Sequence, residues 1–552
     1  MYIMLARLYD EFRVANRSVT VLDAAAVIVG IWALRATVLA ARRKFKTTRL
    51  RGPPRTHLIY GVSKDLFKSS STGSLFEQWA KEYGPVYEVP TTLGGNKIVL
   101  CDPKAVGHYY ARETWTYLLL PSTRRFMERN FGNGIQTVQG EAHKRQRKSL
   151  TPAFSHATIR NITPIFFHSA YKARAAWESL IDASSDDSAI IEVQNWMNHI
   201  SLDTIGLAAF SHDFGSLDGK PASVTKIFDT FGSFSKRSKI ISDADLILLA
   251  QVFPILSYLP TPRNRMLQEM QEIMEDISKS LLERTKNEKE KGALDGKEEK
   301  SIIGVLIKAN DTDSSELHLT REEVVAQMRI ILAAGYETTS TTLTWLLIEL
   351  ARNPGIQSKL REELLAFGVD PTYDQLNSAL PYLDAVVHET LRLHPPLTEF
   401  TRVAGEDDII PISEPVYTKS GDLVDRIAVA SGTKVCIPTA CINRSTAIWG
   451  ADAKAFLPER WLESGAIPKA AQEVQGYRHL LTFADGPRIC LGRGFAVAEI
   501  KAVLSVLVKD FVFEMRDGPG TQIEIALGMI LRPKVAGEDG TRIPLRVSRY
   551  GG

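Results

Sequence analysis

The chain has 552 residues, 44% hydrophobic and 24% charged, with a formal net charge of +3. This is ordinary globular composition with ample apolar material for a large core. The near-zero charge gives no field that points to nucleic acid, and the four cysteines (Cys101, Cys436, Cys441, Cys490) form no CxxC pair, which excludes a disulfide scaffold and a paired-ligand zinc site.

The first element is apolar. Val19 to Ala41 (VTVLDAAAVIVGIWALRATVLAA) has the length of about one bilayer span of helix. Asp23 lies near its start and Arg35 deeper, where a charge costs roughly 2.5–3.5 kcal/mol, so the span is marginal. Arg42, Arg43, Lys44, Lys46, Arg49, Arg51 and Arg55 follow with no acid between them, and Gly52-Pro53-Pro54 stiffens the chain. Basic residues are retained on the cytoplasmic side, so the bulk of the chain is expected in the cytosol. The expected organisation is a lumenal tail over 1–18, a transmembrane anchor over 19–41, a basic and proline linker over 42–56 and one folded domain over 57–552. The sequon Asn16-Arg17-Ser18 falls on the lumenal side, too near the membrane to be used.

Val86–Val89 and Lys97–Leu100 flank Leu93-Gly94-Gly95-Asn96 and predict a β-hairpin. From about Pro103 the pattern is mainly helical, so the fold class is mainly α with a smaller β-rich part. Arg284 to Ser301 is rich in Lys, Glu and Gly and predicts a solvated loop within the domain. Thr320-Arg321-Glu322-Glu323 is a capping box. It opens a nearly unbroken apolar run to Leu350, and Asn353-Pro354 closes it. A helix of that length, roughly 50 Å, must run through the core.

Near the end stands Phe483-Ala484-Asp485-Gly486-Pro487-Arg488-Ile489-Cys490-Leu491-Gly492. Gly486-Pro487 forces a tight turn, and a helix-like stretch begins at Gly492. A thiol at a helix start meets free N–H groups and the positive end of the helix dipole, which favour thiolate. Gly492 removes a side chain where a flat macrocycle would approach, and Arg488 can reach an acidic group on the same ligand.

This segment resembles the haem-binding loop of the cytochrome P450 family, FxxGxRxCxG, at every fixed position. The resemblance extends over nearly the whole chain after the anchor and implies the P450 fold, with a long central helix over haem. It implies haem b (iron protoporphyrin IX) with Cys490 as axial iron ligand, and Phe483, Arg488 and Gly492 beside the cofactor. Glu389-Thr390-Leu391-Arg392 matches the family's ExxR, and Arg460 in Pro458-Glu459-Arg460-Trp461 would close a buried structural triad. Ala334-Gly335-Tyr336-Glu337-Thr338-Thr339 resembles the oxygen-binding segment: Gly335 leaves room over the iron, and Glu337 and Thr338 relay protons. Gly140–Lys148 resembles the WxxxR helix with His143 in place of Trp, so His143 and Arg147 are expected to meet the haem propionates, as is Arg402. Lys144 and Lys148 form the next stripe, a solvated basic face or the landing place of an acidic electron donor.

The resemblance, closest to fungal microsomal members, implies a monooxygenase. Such an enzyme inserts one oxygen atom of O2 into a hydrophobic substrate of the terpenoid, steroid or polycyclic aromatic kind, in secondary metabolism. With no GxGxxG fingerprint and no room for a flavin domain, electrons from NADPH would come through a separate cytochrome P450 reductase, with cytochrome b5 as a further partner. The chain would sit in the endoplasmic reticulum membrane with its domain in the cytosol. Substrate contacts are expected in loops over 113–137 and 206–258 (Trp115, Leu118, Phe126, Phe131, Phe228, Phe231). The alternatives are a reductase-independent haem-thiolate isomerase or dehydratase, and a haem sensor without turnover; the acid–hydroxyl pair at 337 and 338 argues against both.

Overall fold

In the computed structural model the described residues are 41–551 apart from 70–72, 221–242, 288–300, 305–317, 527–529 and scattered positions between 251 and 287, with a few isolated positions between 27 and 38. The elements used below are, in chain order, β1 (Val86–Pro90), β2 (Asn96–Leu100), α1 (Pro103–Ala111), β3 (Tyr117–Leu119), α2 (Pro121–Phe131), α3 (Gly140–Leu150), α4 (His156–Asp182), β4 (Ser188–Glu192), α5 (Val193–Phe210) and α6 (Arg321–Arg352). They continue with α7 (Pro381–Leu393), β5 (Phe400–Ala404), β6 (Asp408–Tyr417), β7 (Leu423–Val429), β8 (Lys434–Ile437), α8 (Arg493–Asp510), β9 (Phe511–Met515), β10 (Ile523–Ala526), β11 (Arg532–Val535) and β12 (Pro544–Arg549).

The predicted hairpin is present: β1 and β2 pair antiparallel from Val86–Leu100 to Pro90–Asn96. Leu93 in the connection takes a left-handed conformation. The hairpin forms one edge of a five-stranded sheet in the order β1-β2-β8-β5-β3, in which only β2 and β8 run parallel. Its buried residues Val86, Tyr87, Ile98, Val435 and Cys436 join one core with the helices.

The long helix α6 is 32 residues, about 48 Å. Both halves of the capping box are made: Thr320 Oγ1 accepts from Glu323 N at 3.2 Å, and Glu323 Oε2 accepts from Thr320 N at 3.0 Å. Asn353 ends it and Pro354 starts the next helix. Nearly every residue from Val324 on is buried, whichever way it points, as a helix enclosed by others requires. α5 packs along it, and α8 packs between α4 and α6.

Among the described residues no helix is long and apolar enough to cross a membrane. Most of the expected anchor, 19–41, lies outside the described residues; the described Val27, Ile31, Leu34 and Val38 are exposed. The segment expected as a basic linker is tied to the domain: Arg42 and Lys46 pair with Asp407 at 3.3 and 2.9 Å, and Leu50 bridges to Thr418. The loop expected over 284–301 also lies largely outside the described residues. The loops expected at 113–137 and 206–258 need correction. The first contains β3 and α2, and 206–210 is the last turn of α5. Phe131 is core and Trp115 is half exposed over Gly140, while Phe228 and Phe231 lie outside the described residues.

Candidate cofactor site

Gly486 takes a left-handed φ of 65°, and a Cβ there would overlap the Tyr110 carbonyl, so the turn admits only glycine. The Cys490 N–H donates to Phe483 O at 2.8 Å and closes the loop, and the Phe483 ring meets Tyr477 edge-on. α8 begins at Arg493 with Gly492 as its N-cap. Cys490 is surrounded by protein yet has exposed surface, so it lines an internal space. The nearest atom to a Cβ on Gly492 would be Phe154 Cε1 at 3.8 Å, which leaves room for a flat group. Burial pushes the thiol above its ordinary value, against the Gly492 N–H and the charges of Arg147 and Arg493.

A cluster of cations faces this loop. Arg147 Nη1 on α3 donates to Ile489 O at 2.8 Å. Arg488 donates through Nη1 to Ile135 O at 3.3 Å, and through Nη2 to Thr114 Oγ1 at 3.2 Å and to Val138 O. Arg402 on β5 donates through Nε to Glu113 Oε1 at 2.8 Å and through Nη1 to Thr401 O at 3.2 Å. Burial, then the nearby Arg402 charge, pulls Arg488 down to about 10. Burial, then Arg488 and Arg147, pulls the buried His143 down to about 3. The structure therefore brings His143, Arg147, Arg402 and Arg488 together from three separate stretches of chain.

Between Ile330 and Ala351 on α6, only Ala334, Gly335 and Thr338 are not fully buried. At this spacing they share one side of the helix and mark where it borders an internal space. Thr338 Oγ1 donates to Ala334 O at 2.7 Å. Glu337 is fully buried; its Oε1 accepts from Arg532 Nε at 3.1 Å and lies 3.0 Å from Nη2, while Oε2 has no partner among the described residues. Burial raises the Glu337 carboxyl and Arg532 draws it back. A Cβ at Gly335 would lie 2.8 Å from Ile205 Cδ1, so the missing side chain also lets α5 approach.

A sequence profile described as Cytochrome P450 matches residues 51–537. Cytochrome P450 monooxygenase claU of Ampulloclitocybe clavipes is 50% identical over 97% of this chain and 98% of its own length. claO of the same fungus is 52% identical over 95% and 97%, and cytochrome P450 monooxygenase 205 of Postia placenta is 35% identical over 96% and 97%. The chain belongs to the cytochrome P450 family. It is an enzyme of the P450 monooxygenase type, a family that carries haem.

The residues present fit that group. A P450 needs one thiol for iron and cations for two propionates; here Cys490 is exposed, Arg147 binds the neighbouring Ile489 carbonyl, Arg488 lies near both Arg147 and Arg402, and nothing crowds Gly492 closer than 3.8 Å. The expected triad comes together away from this face. Arg392 donates to Glu389 Oε1 and Oε2 at 2.8 and 2.9 Å, and Arg460 Nε lies 3.5 Å from Oε1. Trp461 Nε1 and the Leu457 N–H also bind Glu389, at 2.9 and 3.0 Å, two partners that spacing does not reveal. Lys144 and Lys148 stand exposed on α3. A separate cavity of about 280 Å³ beside the C-terminal half of α6, lined by Thr341, Trp345, Glu349 and His394 among others, includes none of the expected cofactor residues. Glu113 and Arg532 carried no signal in sequence, because each is a lone charge whose partner lies far along the chain.

Proposed function

We propose that this P450 inserts one oxygen atom of O2 into a hydrophobic organic substrate, and that Cys490 would hold the iron of haem b. Arg147 held on the Ile489 carbonyl next to Cys490, with Arg488 beside it and Arg402 beside Arg488, carries this reading. Bound haem supplies the activation of O2. Arg402 and Arg488 would hold the propionates, with Arg147 and His143 beside them, and charge-assisted bonds of this kind contribute about 1.5–3 kcal/mol each. Phe483 closes the loop behind the sulfur.

Thr338 and Glu337 move protons. The Thr338 hydroxyl donates to Ala334 O, which leaves its oxygen to accept a hydrogen bond from the bordering space; turning the hydroxyl hydrogen off Ala334 O would let it donate there instead. Glu337 takes or gives a proton at Oε2 while Arg532 steadies Oε1. The triad of Glu389, Arg392 and Arg460 is structural.

Electrons reach the site from a separate NADPH-dependent reductase, with cytochrome b5 as a second donor, and the exposed Lys144 and Lys148 suit an acidic partner. The apolar stretch 19–41 and the basic run after it support a single membrane anchor in the endoplasmic reticulum with the domain in the cytosol. The substrate belongs to the terpenoid, steroid or polycyclic aromatic class of secondary metabolism.

The test is the carbon monoxide difference spectrum of the reduced protein, wild type against Cys490→Ala. A strongly red-shifted Soret band that disappears in the variant is expected. Its absence from folded, haem-loaded wild type overturns Cys490 as ligand and the monooxygenase mechanism with it.

A further inference from the structure

Glu113 lies among the cations of the cofactor site with no part in the chemistry above. It is 1% exposed. Its Oε1 accepts from Nε of Arg402 and lies 2.8 Å from Nη2, and Oε2 has no partner among the described residues. The next residue, Thr114, holds a φ of 74°, a left-handed conformation that a β-branched side chain rarely adopts. That turn is held from outside: Gly140 N donates to Thr114 O and Oγ1 at 3.1 and 3.0 Å, and Arg488 donates to the same Oγ1. Strain of this kind persists where the surroundings over-determine it, and here they aim an acid into a basic cluster.

We propose that Glu113 is a positioning residue for haem: it holds the Arg402 guanidinium toward a propionate, and its negative charge lowers the reduction potential of the bound group. The proposal rests on the reading that Arg402 and Arg488 receive the propionates. A guanidinium has five N–H donors in a rigid fork. Glu113 takes the Nε hydrogen, with its Oε1 2.8 Å from Nη2, and Thr401 O takes one hydrogen on Nη1. Three hydrogens, one on Nη1 and two on Nη2, remain for a further acceptor. Without the carboxylate, Arg402 regains its rotamers and faces Arg488 as an unscreened like charge. A carboxylate buried beside the cofactor also opposes the arrival of an electron, and burial strengthens that opposition because little water screens it.

The experiment uses the full-length, haem-loaded protein in detergent and compares Glu113→Gln and Glu113→Asp with wild type. Glu113→Gln keeps the shape and an acceptor but loses the charge. It is expected to retain the red-shifted carbon monoxide band, to show a ferric–ferrous midpoint potential above that of wild type, and to surrender haem to apomyoglobin roughly tenfold faster. Glu113→Asp keeps the charge and shortens the reach, so its potential stays near that of wild type while haem leaves faster. A Glu113→Gln protein with wild-type potential and transfer rate overturns the proposal. Should that variant take up no haem, the same two measurements on Glu113→Asp decide. If Arg402→Gln and Arg488→Gln both keep haem as tightly as wild type, the propionate reading itself falls, whatever Glu113 does.

Discussion

At residue scale the site is governed by desolvation. Cys490, His143 and Glu337 all sit where burial opposes their charged forms, and each has cationic neighbours. For His143 the two effects act together, because burial and the charges of Arg488 and Arg147 both disfavour imidazolium. The unfolded chain takes up a proton at this position below about pH 6.5, which the folded, haem-free chain refuses until about pH 3. Stability is therefore fully present above 6.5 and falls as pH drops through that window, by at most about 1.4 kcal/mol per unit. His143→Gln is expected to remove that slope, and urea unfolding of both haem-free proteins at pH 7 and 5 measures it. Thr338→Ala deletes the hydroxyl that returns to Ala334 O. Product per NADPH is expected to fall several-fold and peroxide to rise, with the carbon monoxide band unchanged; quantifying both products of one turnover assay checks this.

At the scale of elements, α6 is clamped from two sides. α5 reaches it because Gly335 leaves a place for Ile205. Gly335→Val is expected to force the helices apart and destabilise by about 1–3 kcal/mol, with Ile205→Ala in the same chain recovering most of the loss; chemical denaturation of the two variants reads the coupling. On another side Arg532 ties β11 to Glu337, both fully buried. Arg532→Leu leaves a buried carboxylate without its cation and is expected to cost about 3–5 kcal/mol. The double variant Arg532→Leu with Glu337→Leu should recover much of that, since two well-packed apolar groups replace the pair. If the single variant melts with wild type, the pair does not support the helix.

Over the whole molecule, Glu389 gathers elements that sequence keeps apart. It meets Arg392 within α7, Arg460 and Trp461 from the segment after residue 457, and the Leu457 backbone. Arg392 in turn donates to the carbonyls of Asn443 and Ala453 at 2.9 and 2.6 Å. Glu389→Gln is expected to lower stability by about 3–5 kcal/mol and haem content with it, measured as the ratio of Soret to protein absorbance after purification. The anchor is tested on the same scale: deletion of residues 1–41 should release the chain from carbonate-washed membranes, and a chain still pelleting with them would show that 19–41 is not what holds it there.

The local patterns could be read without any structure. The capping box at Thr320, the Asn353-Pro354 stop, the Val86–Leu100 hairpin and the cysteine loop each depend on residues a few positions apart, and backbone geometry lets such neighbours act the same way in any fold. The tight turn of the thiol loop and the pairing of Glu389 with Arg392 were legible for that reason. Tertiary structure alone decided the rest. Glu113 meets Arg402 across 289 positions and Arg532 meets Glu337 across 195, and a lone charge in sequence does not say which distant charge will neutralise it. What approaches Gly335 depended on the path of α5. Burial and long-range pairing are properties of the packed chain, and they determined the charges on which this site's chemistry depends.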